Sequence, residues 1–249
     1  MNRIGIIIKR DYRELRQSTA FRIILIVAGL ITLAAAIGIS IGLGRQSWLG
    51  EPEARPMLDF FIGLVLYFLP LVVLLSFIWS FATLPLTKEK VNGNIEALMA
   101  TPLSARGLWL GKSLAVFLPA YFISIVAAVI VVLVINLSTI LPTTGVFVLP
   151  VPTLVLGFVV NPLLFLVLLL FMILFSLANN PDIALGPSFL VGFGLMMGMP
   201  VGLGLGTFDI SSWRFTLWYL LGTAALFAIV LGLTRLLTRQ SIVLSNKGS

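Results

Sequence analysis

LDFFIGLVLYFLPLVVLLSFIWSFATLPL, residues 58–86, holds a single charged side chain, Asp59, at its start. An α-helix rises about 1.5 Å per residue, and about 20 apolar residues cross a hydrocarbon layer about 30 Å thick. Leu58–Leu86 is therefore a transmembrane helix with length to spare, and it tilts or continues beyond the bilayer. Similar stretches occur at Phe21–Gly44, Leu108–Leu137, Thr153–Ala178, Ile183–Gly206 and Phe215–Leu233. The expectation is an all-α polytopic membrane protein with six spans. The stretch Ile183–Gly206 departs most from the pattern: it carries seven glycines, from Gly186 to Gly206, with Pro187 and Pro200.

Composition agrees. The chain of 249 residues is 59% hydrophobic and 10% charged, against roughly 45–50% and 25% in soluble domains. It leaves no length for a second soluble domain of ordinary size. The basic residues are unevenly placed. With the N-terminus inside, only Arg45, Arg55 and Arg214 fall outside, and the other thirteen Lys and Arg residues fall on the inner side. This bias puts both termini in the cytoplasm. It also accounts for the net charge of +7 without nucleic acid. The first apolar stretch is too long for the core of a cleaved signal peptide, which is about 7–15 residues.

Two segments outside the spans carry organisation. Residues 1–20 place Ile4, Ile8, Leu15 and Thr19 near one helical face, with Tyr12 between them. Lys9, Arg10, Arg13, Glu14 and Arg16 lie mostly on the other face. That pattern is a basic amphipathic helix in the membrane interface. The six-span membrane body then covers 21–240, and 241–249 is a short cytoplasmic tail. The second segment is the inner loop 87–112, TKEKVNGNIEALMATPLSARGLWLGK. Gly93 interrupts what precedes it, and Asn94 caps a short helix, Asn94–Ala100, ended by Thr101-Pro102. Ser104 caps the next helix, which passes through Leu108 into the third span. The outer loop STILPTTGVFVLPVPT has prolines but no charge and is expected to lie on the membrane surface.

Catalytic chemistry finds no foothold. The chain has no cysteine and no histidine, which removes thiolate nucleophiles, disulfides, the usual zinc sites and imidazole acid–base work. Asp59, Asp182 and Asp209 sit at span ends and do not form an intramembrane aspartyl pair. Ionisable groups are nearly absent from mid-span, where ion-coupled carriers keep them. Asn136 and Asn161 are the notable polar residues, both expected near outer ends.

The inner loop resembles that of type-2 permeases of ATP-binding-cassette (ABC) exporters. The resemblance rests on Glu89, Gly93, Ile95-Glu96, Leu98, Thr101-Pro102 and Leu110-Gly111-Lys112, with Asn94 where the family often has Thr and Met99 where it often has Leu. The stretch IKRDYRELRQSTAFRI, leading into the first span, is similar to the family's elbow helix. The resemblance implies a homodimer of permease subunits in the plasma membrane of a prokaryote. Each subunit would dock a cytoplasmic ATP-binding subunit through a coupling helix. Glu89, Gly93, Asn94, Glu96, Leu98, Met99, Thr101 and Pro102 would make that contact, with Leu103 as a further apolar anchor. ATP and Mg would belong to the partner, because this chain has no Gly-x-x-x-x-Gly-Lys-Ser/Thr run and needs no cofactor of its own.

A stand-alone carrier or channel is the alternative, and a scaffold that recruits partners is a third. The first is weakened by the missing mid-span charges, and the second has no need of the loop signature. An apolar route lined by aromatics such as Tyr67, Trp79, Phe158 and Phe165 would suit a hydrophobic or amphipathic cargo. The topology is open to direct test, because any introduced cysteine is unique. A membrane-impermeant maleimide is expected to label Phe147→Cys from outside the cell and Lys247→Cys only after the membrane is opened. The reverse pattern would overturn the orientation.

Overall fold

A computed structural model describes residues 3–51, 53–81, 104–178 and 181–236. Among these residues all regular structure is helical. Helix α1 is Arg3–Gln17, α2 is Thr19–Gly44 and α3 is Ala54–Phe81. Helix α4 is Ala105–Thr144. Helix α5 comprises Val151–Val155, a π turn at Leu156–Val160, and Asn161–Ala178. Helices α6 and α7 are Pro181–Gly204 and Trp213–Leu233.

Five of these helices, α2, α3, α4, α5 and α7, are long and apolar enough to cross a membrane. The chain is therefore a polytopic helical membrane protein. In α6 the apolar stretch among the described residues is shorter, Phe189–Gly204. Helix α3 is central: 72% of its most apolar window is buried, against 22% for α2 and 17% for α7. The outward faces of α2 and α7 carry exposed Ile26, Leu30, Leu33, Trp218, Leu221 and Ile229, which suits contact with acyl chains. Helix α4 has 40 residues and so is about 60 Å long, twice the hydrocarbon thickness.

The expected N-terminal helix 1–20 is in fact two pieces. Helix α1 stops at Gln17, and Ser18 caps α2 by accepting from the Phe21 amide at 3.2 Å. The Ser18 hydroxyl also donates to the Leu15 carbonyl at 2.7 Å. One serine thus closes one helix and opens the next, fixing the angle between them.

Prolines inside spans explain how α3, α4 and α5 pack. A helix-interior proline has no N–H for the carbonyl four residues earlier, and lipid offers no water to replace it. Pro162 so frees the Phe158 carbonyl, which accepts from the Tyr121 hydroxyl of α4 at 3.3 Å. Pro70 lies within α3 and frees the Leu66 carbonyl. That carbonyl abuts Gly157, where an added Cβ would collide with it. Beside this contact, Asn161 Nδ2 donates to the Tyr67 carbonyl at 3.0 Å. Further along, Thr153 Oγ1 donates to the Ile210 carbonyl at 3.1 Å, tying α5 to the approach to α7.

The uncharged loop after α4 differs from expectation. Helix α4 continues through a π turn, Asn136–Ile140, to Thr144, and Gly145 turns the chain with φ 70°. The strand-like return tucks Val148 into the protein with no exposure. Asn136 holds it there: Oδ1 accepts from the Val148 amide at 2.7 Å, and Nδ2 donates to the Val148 carbonyl at 3.1 Å. The loop is clamped to its own helix by one buried amide, with Val146, Phe147 and Leu149 left exposed.

The glycines of α6 divide by role. At Gly192 a Cβ would come within 3.1 Å of the Trp79 ring and 3.4 Å of Leu75, and at Gly202 it would overlap Phe208. Gly194 and Gly198 face open space. Gly157→Ala is expected to force α3 and α5 apart and to cost about 1–3 kcal/mol or more by overpacking, whereas Gly198→Ala is expected to be neutral. Thermal unfolding of the two variants in detergent checks this, and equal melting temperatures would contradict it.

Candidate functional site

The residues that the sequence singles out for partner contact, Glu89, Gly93, Asn94, Glu96, Leu98, Met99, Thr101 and Pro102, lie outside the described residues, as does the expected helix Asn94–Ala100. The structure instead defines the frame around them. The described part of α3 runs to Phe81, and α4 begins immediately after Ser104.

The start of α4 is built as the sequence suggests. Ser104 has an extended backbone, φ −80° and ψ 146°, and its hydroxyl accepts from the Gly107 amide at 3.0 Å. The first turn is anchored at once. Leu108 is fully buried, and Trp109, also buried, donates its indole N–H to the Leu170 carbonyl of α5 at 2.8 Å. One turn on, the Ser113 hydroxyl donates to the Trp109 carbonyl at 2.9 Å. This foot of α4 is rigid because its polar atoms have partners within the bundle.

Helix α1 lies against that foot through a stripe at four-residue spacing: Ile7, Asp11 and Leu15. Ile7 and Leu15 are buried. Ile7 packs onto Gly111, where a Cβ would stand 3.0 Å from Ile7 Cγ2. The absence of a side chain at Gly111 lets the two helices approach. Next to it, Lys112 Nζ lies 3.3 Å from Asp11 Oδ2. Both side chains are largely shielded, 7% exposed for Lys112 and 14% for Asp11. The other oxygen of Asp11 accepts from Arg10 Nε at 2.9 Å. One carboxylate thus stands between two cations, and its attraction to Lys112 acts where water screens it little.

The protein-facing side of α1 therefore differs from the apolar face read from sequence. Ile7, Asp11 and Leu15 point inward, while Tyr12 is exposed and Ile8 lies at the margin. One of two acidic residues, with Glu14, in a strongly basic amphipathic helix was the available signal for Asp11. Its partner is 101 positions away.

The aromatics considered for a cargo route are packing residues in this chain. Tyr67 and Phe165 are buried in the core. Trp79 stacks on Phe189 with ring centroids 5.1 Å apart, and Phe165 stacks on Phe117 at 5.9 Å. Phe158 is partly buried and contributes its carbonyl to Tyr121. Among the described residues no cluster of His, Cys, Asp and Glu is arranged to hold a metal ion. The junction thus consists of the capped start of α4, a helix docked on it and a charge pair between the two.

No protein-family model, curated protein or solved structure matches the chain.

Removing either half of the Asp11–Lys112 pair leaves a shielded charge less well compensated. Asp11→Ala and Lys112→Met are each expected to destabilise by about 3 kcal/mol. The double variant is expected to recover about 1–3 kcal/mol of their sum. Equilibrium unfolding of all four proteins measures this, and strict additivity would show that the pair does not couple the helices.

Proposed function

We propose that the chain is the membrane-spanning permease subunit of an ABC exporter, moving a hydrophobic or amphipathic substrate with energy from ATP hydrolysed on a separate cytoplasmic subunit. The reading has six spans, with α6 as the fifth, and both termini in the cytoplasm. Helix α1 is its elbow helix in the inner membrane interface, and a second copy of the chain completes the transport unit. Its membrane is the plasma membrane of a prokaryote. ATP and Mg sit on the partner.

One observation carries the reading. The segment with the loop signature is framed by the buried central helix α3 and the capped foot of α4. The last two residues of that signature, Gly111 and Lys112, are the ones that seat α1. The two pieces of sequence that resemble the exporter family are thus in contact with each other. A push delivered to residues 87–103 would reach α4 at its foot and carry α1 with it. Helix α4 is long enough to bring that push from outside the bilayer to its far side.

The test is to purify the chain with its candidate ATPase subunit and follow ATP hydrolysis. The wild-type chain is expected to retain the ATPase and alter its rate. Glu96→Ala, and independently Glu89→Ala, is expected to weaken this by about tenfold, the scale of a hot-spot contact. A chain that neither retains an ATPase subunit nor affects hydrolysis would overturn the proposal.

A further inference from the structure

The side of α1 that faces away from the Asp11–Lys112 pair forms a groove with α2 and α4. Its volume is about 620 Å³. Phe21 and Leu25 of α2 and Leu118 and Phe122 of α4 make its apolar wall, and Lys9 and Arg16 of α1 stand at its rim. A second depression of about 700 Å³ shares Arg16, Phe21 and Leu25 and adds Arg13 and Arg22. Among the described residues no acidic side chain lines either depression. The wall is open: Phe122 is 69% exposed and Leu118 48%.

We infer that this groove holds one anionic diacyl phospholipid, with an acyl chain along Phe21, Leu25, Leu118 and Phe122 and the phosphate between Lys9 and Arg16. Three features select that occupant. The apolar wall runs along two spans, parallel to the direction of acyl chains. The cations in the lining come only from α1 and the first turn of α2, and none from α4, which puts them beside the interfacial helix, where a headgroup lies. Four basic residues with no acidic counterweight in the lining favour net negative charge over a zwitterion. A peptide or soluble anion would match one of these features but not all three. The site also gives α1 a hold on α2 that the ion pair to α4 does not supply. It depends on the chain being in a membrane and not on the ATPase reading.

The test is lipid retention by the full-length chain, measured by native mass spectrometry after incubation with dioleoyl phosphatidylglycerol or dioleoyl phosphatidylcholine. One phosphatidylglycerol molecule is expected to be retained at least about tenfold more strongly than phosphatidylcholine, as two well-placed cations imply. Lys9→Ala with Arg16→Ala is expected to abolish that preference. Arg45→Ala with Arg214→Ala, at the other end of the spans, is expected to leave it intact. Both cation pairs are exposed, so the variants are expected to fold, and circular dichroism checks this. Gly5→Phe, built into open space in the groove, is expected to lower retention with all charges present. Equal retention of the two lipids, an unchanged Lys9/Arg16 variant, an unchanged Gly5→Phe variant, or displacement by inorganic phosphate alone would each overturn the inference.

Discussion

A proline inside a span removes the usual donor to a carbonyl, and lipid supplies no other. Pro70 and Pro162 each do so where α3, α4 and α5 pack together. Tyr121 of α4 donates to the one freed by Pro162, and Gly157 of α5 makes room for the one freed by Pro70. Asn161 adds a bond to the neighbouring Tyr67 carbonyl. Apolar side chains cannot supply specificity here, since lipid tails are as apolar as leucine. A few polar contacts and one close backbone approach decide which helices pair and at what height.

The same arrangement separates a buried centre from an exposed periphery. Helices α3, α4 and α5 share polar bonds and bury most of the large side chains. Helices α2 and α7 mostly face outward. Helix α1 belongs to the centre although it lies at its edge, because Ile7, Asp11 and Leu15 lock it to the foot of α4. Under the proposed function, a displacement at that foot would carry α1 with it, and Ser18 joins α1 to α2.

Much of this was legible in the sequence, and the limits have physical causes. Hydropathy located the long spans to within a few residues, because the thickness of a bilayer sets their length. Ser104 as a cap was readable, since capping is local. Asn136 and Asn161 stood out as polar residues in apolar surroundings, but their roles depend on which backbone comes alongside. Asn136 grips Val148 across a π turn that shifts the helical register, and Asn161 reaches a carbonyl 94 residues away. Asp11 was hidden among basic neighbours and gains its meaning only from Lys112. Which side of α1 packs on the protein was not readable, because the apolar pattern alone does not say what that face meets. The partner-contact residues from Glu89 to Pro102 rest on sequence alone, since they lie outside the described residues.

The account stands on α1 and the foot of α4 being one mechanical unit, with the signature-bearing segment attached to it. The chain has no cysteine, so spin labels at Lys9→Cys and Leu110→Cys, in labelled chain diluted with an excess of unlabelled copies, report on that unit alone. Pulsed electron–electron double resonance in lipid nanodiscs should give a single narrow distance distribution. It should stay narrow with the ATPase partner bound, with or without nucleotide, and broaden in the Asp11→Ala background. A broad distribution in the isolated wild-type chain, or one that Asp11→Ala leaves unchanged, would contradict the account.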